Sequence, residues 1–203
     1  MKNHAPDRPF DRREPLSEEY LRTHTVGELK PLSGAICIVD YDPDWPRQFE
    51  CEANRIRSVL GGRALRIEHA GSTSVPGLPA KPIIDIVLVV AESAREAEYV
   101  PALESAGYQL RIREPEWHEH RMLKGPETDV NLHVLSTGCP EIDRMLTFRD
   151  RLRTNASDRE RYARSKRALA QQDWKYTQNY ADAKTAVIEE IISGAERSER
   201  STG

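Results

Sequence analysis

The sequence predicts an α+β fold, a mixed β-sheet flanked by helices and followed by a helical C-terminal part. Three observations carry this prediction. Residues 83–90, Ile-Ile-Asp-Ile-Val-Leu-Val-Val, are an almost unbroken β-branched run of the kind buried on both faces of a sheet. Three shorter strand-like runs follow, joined by short turns. From Pro140 onward the apolar spacing is helical.

Taken in chain order, residues 1–33 hold Pro, Arg, Glu and Asp with little periodicity. They are expected to form a flexible extension with one helical turn around residues 16–23. Residues 35–39, Ala-Ile-Cys-Ile-Val, read as a short strand. Asp44 is placed to cap a helix with Pro46 in its first turn, and Phe49, Ala53, Ile56 and Leu60 form its apolar stripe. Gly61-Gly62 ends it as a left-handed cap. Residues 65–69 read as a strand and 71–82 as a turn-rich connection before the 83–90 strand. Residues 93–106 form a helix candidate bent at Pro101. Residues 108–113, 120–123 and 129–135 are expected as an antiparallel meander. Pro140 starts a helix with Ile142, Met145, Leu146, Phe148 and Leu152 on its apolar face. Ser157-Asp158-Arg159-Glu160 reads as a capping box for the next helix, and a last helix opens at Asp173 or Trp174 and runs to Ile192. One folded unit over 34–193, with a flexible tail over 194–203, fits a chain of 203 residues.

Composition narrows the function classes. The formal net charge is −3, so no basic excess points to nucleic acid. The arginines between 144 and 167 read either as a solvated helix face or as a source of one or two phosphate contacts. Cys37, Cys51 and Cys139 are few and widely spaced, which suggests a reducing cytoplasm. No run of 18 apolar residues predicts a membrane span, and the N-terminus has no apolar signal core.

The most informative stretch is Glu68-His69-Ala70-Gly71-Ser72-Thr73-Ser74-Val75-Pro76-Gly77-Leu78-Pro79-Ala80-Lys81-Pro82-Ile83-Ile84-Asp85-Ile86. A polyphosphate is held by backbone N–H groups, small hydroxyls and a nearby cation. Gly71 lets backbone approach an oxygen, Ser72 and Thr73 bring hydroxyls, and Lys81 brings a charge. A carboxylate inside an apolar strand is costly unless paired or metal-bound, so Asp85 reads as a metal holder or as a partner of Lys81. Glu68 and His69 face opposite sides of their strand; His69 is the expected lining residue, and Glu68 a structural or metal-assisting one. Asn131 shares a face with Asp129 and His133, and His133 reads as a metal ligand, a general base or a satisfied structural residue. His118 and His120 flank a tight loop that reads as a solvated tip or a metal pair, with Arg121 beside it facing the pocket. Arg149 reads as a substrate contact or as a surface pair with Asp150 or Glu141.

The same stretch resembles the signature of the GrpB family, a branch of the DNA polymerase beta-like nucleotidyltransferase superfamily. The matching words are Glu68-His69-x-Gly71-Ser72-Thr73-Ser74-Val75-Pro76-Gly77-Leu78 and Lys81-Pro82-Ile83-Ile84-Asp85-Ile86, with Asn131-Leu132-His133-Val134 and Phe148-Arg149-Asp150-x-Leu152-Arg153 further on. Tyr162, Lys166 and the closing stretch from Tyr176 to Lys184 are also similar, so the likeness covers about residues 36–192. The resemblance implies a nucleotidyltransferase-like sheet and transfer of a nucleoside monophosphate from an NTP to a small-molecule acceptor, with Mg²⁺ or Mn²⁺. On that expectation Asp85 and His133 are catalytic, with Asp85 and Glu68 at the metal. Gly71, Ser72, Thr73, Lys81 and Arg149 hold the nucleotide, and His69, Arg121 and Asn131 line the substrate. The superfamily pattern, Asp-x-Asp/Glu on one strand, has Val87 at its second place here. The alternative is therefore a non-catalytic module that binds a nucleotide or phosphate metabolite. The sequence leaves the acceptor, the base and the oligomeric state open.

Overall fold

The β-branched run at 83–90 becomes β2 (Ile84–Val90), an inner strand with a neighbour on each side. The structure, a computed structural model, describes residues 16–127 and 129–200. Its sheet has five strands in the order β1-β2-β5-β4-β3, with β1 (Arg66–Ala70), β3 (Gln109–Glu114), β4 (His120–Lys124) and β5 (Val130–Ser136). β2 runs parallel to β5, with Asp85 opposite Asn131 and Val87 opposite His133. The pairs β1–β2, β3–β4 and β4–β5 are antiparallel, so the expected meander is present inside a mixed sheet.

Strand side chains alternate between faces. Ile84, Ile86, Leu88, Leu132 and Val134 share one core with Phe49, Ala53, Ile56 and Leu60 of α2 (Trp45–Leu60) and Leu103 of α3 (Val100–Ser105). On the other face Val87, Val89 and Leu135 meet Ile142 and Leu146 of α4 (Pro140–Thr154). A third cluster joins Val75 and Leu78, after the glycine turn, to Leu152, Tyr162 and Ile191. Each such buried side chain contributes about 1.5–3 kcal/mol of apolar transfer. α4 covers only one end of its face, and the polar end, at Asp85, Asn131 and His133, is left as the floor of a cleft.

Several elements differ from expectation. Residues 35–39 form no strand; Val39 makes a single bridge with Ala80, while Ile36 packs on Ala170 and Tyr180. Residues 16–33 are built into the fold. α1 (Glu18–His24) is capped by Ser17, whose hydroxyl accepts from the Tyr20 N–H at 3.1 Å. Leu16 and Leu21 are buried with Tyr176. The Val26 N–H donates to Arg111 O at 2.8 Å, and the Leu32 N–H to Lys175 O at 2.9 Å. Residues 1–15, the rest of the expected extension, lie outside the described residues.

The 93–106 helix resolves into a 3-10 turn at Glu96–Glu98 and α3, with Pro101 in its first turn, where a missing N–H is harmless. α5 (Ala156–Ala170) is capped by Asn155, whose side chain accepts from Asp158 N at 2.9 Å, not by Ser157. The last expected helix divides into α6 (Thr177–Asp182) and α7 (Thr185–Arg200), so helix extends into the stretch expected as a tail. Among the described residues, no helix is long and apolar enough to cross a membrane.

Candidate functional site

The site begins where β1 ends. Register puts Ala70 opposite Asp85, and the chain then turns at Gly71 with φ 63°. A Cβ on Gly71 would stand 2.2 Å from Asp85 Oδ2, so only glycine allows the carboxylate to lie against this turn. A 3-10 turn, Ser72–Ser74, follows, and Ser74 Oγ donates back to Gly71 O at 2.6 Å. Asp85 Oδ1 accepts from Asn131 Nδ2 at 2.7 Å and lies 3.9 Å from His133 Nε2. Burial alone would raise the Asp85 carboxyl. His133, Asn131 and the Lys184 charge outweigh it and leave the group below its usual range, hence ionised at neutral pH.

Lysines crowd around this carboxylate. Lys81, Lys124, Lys166 and Lys184 all line the cleft. Lys166 is buried in α5, donates to Pro79 O and lies over the Tyr162 ring at 4.9 Å. Burial, with the Lys184 and Arg167 charges, pushes its ammonium down to about 7. Lys184 sits in the break between α6 and α7, 4.7 Å over the Tyr180 ring. Burial pushes it down to about 8; Asp85 opposes that and Lys81 adds to it. Lys81 is lowered by burial and by Lys124. The nearby acids Asp129 and Glu141 are engaged by Lys124 and Arg144, each at 3.1 Å. Three ammonium groups thus share Asp85, and an anion entering the cleft would relieve their mutual repulsion.

A second polar chain runs from Asp85 toward β3. His133 Nδ1 lies 3.1 Å from His120 Nε2, and the two rings stack at 5.3 Å. His120 Nδ1 lies 2.7 Å from Glu114 Oε2. Tyr20 of α1 donates its hydroxyl to Glu114 Oε1 at 2.9 Å. His120 and Glu114 are both buried, and Trp117 packs edge-on against His120 at 5.1 Å.

Of the residues singled out from sequence, Gly71, Ser72, Lys81, Asp85, Asn131 and His133 line one cleft of about 690 Å³. The other five stand outside its lining. His69 faces α2, stacked on Phe49 at 4.7 Å and 3.1 Å from Thr73 Oγ1; burial pushes it down to about 4, so it is neutral. Thr73 donates to Ile83 O at 3.1 Å and is spent on that turn. Glu68 is held by Arg149 at 2.8 Å and Arg66 at 2.9 Å. Arg149 also donates to His69 O and Asp150, so it ties α4 to β1. Arg121 is engaged by Glu96 at 2.6 Å and Glu119 at 3.3 Å.

The cleft also contains groups that sequence reading missed. Lys166 and Lys184 each follow a tyrosine by four residues, Tyr162 and Tyr180, which is one helical turn. That repeated Tyr-x-x-x-Lys spacing was the available signal. Glu114 is paired with His120 across the β3–β4 hairpin, a relation visible only once its register is known; His120, read from sequence as part of a solvated tip or of a metal pair with His118, is instead buried against Glu114.

A resident divalent cation does not fit these donors. Among the described residues no three His, Cys, Asp or Glu side chains converge on a common point. Glu68 is committed to two arginines, and Val87, where a second strand carboxylate would stand, is fully buried among Ala70, Leu135, Ile142 and Leu146. That leaves Asp85 as the carboxylate at the Gly71 turn, with Asp129 and Glu141 of the same cleft engaged by Lys124 and Arg144.

A family model described as GrpB protein matches residues 35–193. A UPF0157 protein of Halalkalibacterium halodurans is 62% identical over 181 residues, which is 89% of this chain and 93% of that protein. A UPF0157 protein of Streptomyces coelicolor is 45% identical over 165 residues, 81% and 87% of the two chains. Among solved structures, the conserved protein GrpB from Enterococcus faecalis has a TM-score of 0.70 at 32% identity, covering 80% of this chain and 99% of its own.

Proposed function

The chain belongs to the GrpB family, and from its cleft we propose that it binds a phosphate-bearing small molecule of the nucleotide type. One observation carries the reading: a glycine-serine turn, the Asp85 carboxylate and the ammonium groups of Lys81, Lys166 and Lys184 face a single cleft. Ser72 and the turn backbone grip the phosphate, and Lys81, Lys166 and Lys184 neutralise it. Asp85 fixes the orientation of the bound molecule. The exposed free thiols at Cys37 and Cys51 suit a reducing cytoplasm.

The test is calorimetric titration with ATP, GTP, CTP, UTP and inorganic pyrophosphate, with and without Mg²⁺. Binding is expected for at least one nucleotide, and Lys184→Ala weakens it about tenfold, the scale of one charge-assisted hydrogen bond. Wild-type protein that binds none of them at millimolar concentration overturns the reading.

A second reading, transfer of a nucleoside monophosphate from an NTP to a small-molecule acceptor, is favoured by the contact of Asp85 with the Gly71 turn. It needs Mg²⁺ or Mn²⁺ to arrive with the nucleotide, since the chain offers that ion one carboxylate. Pyrophosphate released in step with acceptor consumption, and abolished in Asp85→Asn, would establish it. Binding without release favours the binding module.

A further inference from the structure

Away from the Gly71 turn the cleft changes character. Its floor crosses the sheet from β2 to β3, and the strand registers set what it presents. Asp85 of β2 stands opposite Asn131 of β5, and His133 of β5 stands opposite Met122 of β4. Met122 is in turn the partner of Ile112 on β3. Asp85 and Ile112 are therefore three strand spacings apart, about 14 Å. Asp85 acts on the charges of Lys81, Lys166 and Lys184, which places the cations at its end of the floor.

The β3 end is apolar. Ile112 and Met122 are half-buried and line the cleft, and among the described residues they belong to none of the packed apolar clusters. Arg111 Nη2 donates to Glu28 O at 3.1 Å, which brings Leu29 to the same edge of the sheet. Leu29 and Trp117 line the cleft as well. The polar groups there are engaged with one another: Glu114 lies 2.7 Å from His120 and accepts the Tyr20 hydroxyl at 2.9 Å. A single exposed apolar side chain is ordinary on a protein surface. Several of them grouped in a concave site, with cations at its other end, describe a ligand with two unlike ends. The cleft, about 690 Å³, falls in the range of roughly 300–1,000 Å³ typical of sites that enclose a whole drug-sized molecule. A phosphate group alone would leave the β3 end unfilled.

We propose that the cleft takes a phosphate ester whose far end is apolar, an alkyl chain or an aromatic ring, and that this end lies on Ile112 and Met122. The inference rests on the phosphate-ligand reading and adds the chemistry of the rest of the molecule. The lysines fix its direction. The reverse orientation would lay hydrocarbon on the Asp85 carboxylate and the ammonium groups, whose desolvation is costly.

Calorimetric titration of the full-length protein with methyl, hexyl and phenyl phosphate tests this, with inorganic pyrophosphate as the reference for the phosphate end. A fully enclosed methylene adds about three- to fourfold in affinity, so an ester that reaches the β3 end is expected to bind at least about tenfold tighter than methyl phosphate. A gain for hexyl phosphate assigns a chain, and a gain for phenyl phosphate assigns a ring. Met122→Gln, close in shape, and Ile112→Thr each put polar atoms on the strip and are expected to cut the gain by about threefold or more. Pyrophosphate affinity in the same variants reports whether the phosphate end is intact. Pyrophosphate binding with no gain for either ester overturns this inference and leaves the phosphate reading standing. A gain that persists in both variants also overturns it, because the apolar group then lies elsewhere. Failure of every probe to bind overturns both readings.

Discussion

At Gly71 a single hydrogen atom separates a working cleft from a clash. Replacing it with alanine forces a methyl group to within 2.2 Å of Asp85 Oδ2, in a backbone conformation that side chains disfavour. Gly71→Ala is expected to lower stability by about 1–3 kcal/mol in urea titration and to weaken nucleotide binding by more than about tenfold as Asp85 swings away. Lys166 and Lys184 offer a pH test. Their folded values, about 7 and about 8, lie below the ordinary 10.5. Between those values and 10.5 the unfolded chain binds more protons than the folded one. Stability of the unliganded protein should therefore rise with pH across this window, and the strain of charging these lysines is fully present below pH 7. An anionic ligand favours the charged ammonium, so binding near pH 8 takes up protons and affinity falls as pH rises through 7 to 8. Calorimetry in two buffers of different ionisation enthalpy reads the proton uptake, which should shrink in Lys184→Met.

Between elements, Arg149 is the clearest connector, joining α4 to the end of β1 through Glu68 and His69 O. Arg149→Ala removes a largely buried guanidinium and leaves Glu68 with Arg66 alone. The expected cost is about 1–3 kcal/mol in chemical denaturation, with nucleotide affinity changed less than about threefold, opposite to the pattern expected of Lys184→Ala. The elements that could be read from sequence were those with strong local patterns: the α2 stripe, the β-branched β2 and the three-strand meander. The parallel pairing of β2 with β5 depends on where the chain returns, which no local pattern encodes. The apolar 35–39 segment satisfied a strand pattern but was drawn off to pack on Ala170 and Tyr180. Of the site, the Gly71-to-Asp85 segment and the Asn131–His133 face were legible, since adjacent residues on one turn or one strand stay together. The lysines were not, because a lysine on a charged helix reads as solvated until the α5–α7 packing turns it inward. His69 and Arg149 were placed at the cleft by sequence proximity to the turn, whereas strand alternation and an ion pair send them elsewhere.

Across the whole molecule, the cleft is a joint product of the sheet, the C-terminal helices and residues 16–33. Leu16, Leu21, Leu29 and Leu32 form its apolar bank, and Tyr20 completes the polar chain. Leu21→Ala should loosen that bank at a cost of about 1–3 kcal/mol. Amide hydrogen exchange would register it as faster exchange at Val26 and Leu32, whose N–H groups are tied to Arg111 and Lys175. Unchanged exchange at both would show that α1 does not hold residues 25–33 in place.

The family match starts at residue 35, and α1 ends at His24. A fragment trimmed to the matched span would keep Lys81, Lys124, Lys166, Lys184, Gly71 and Asp85, yet would lose Tyr20, which holds Glu114, and the leucines of the apolar bank. Measured on such a fragment, weak affinity would reflect a channel missing one side, and comparisons among relatives are sound only between proteins that retain an equivalent of this leading helix.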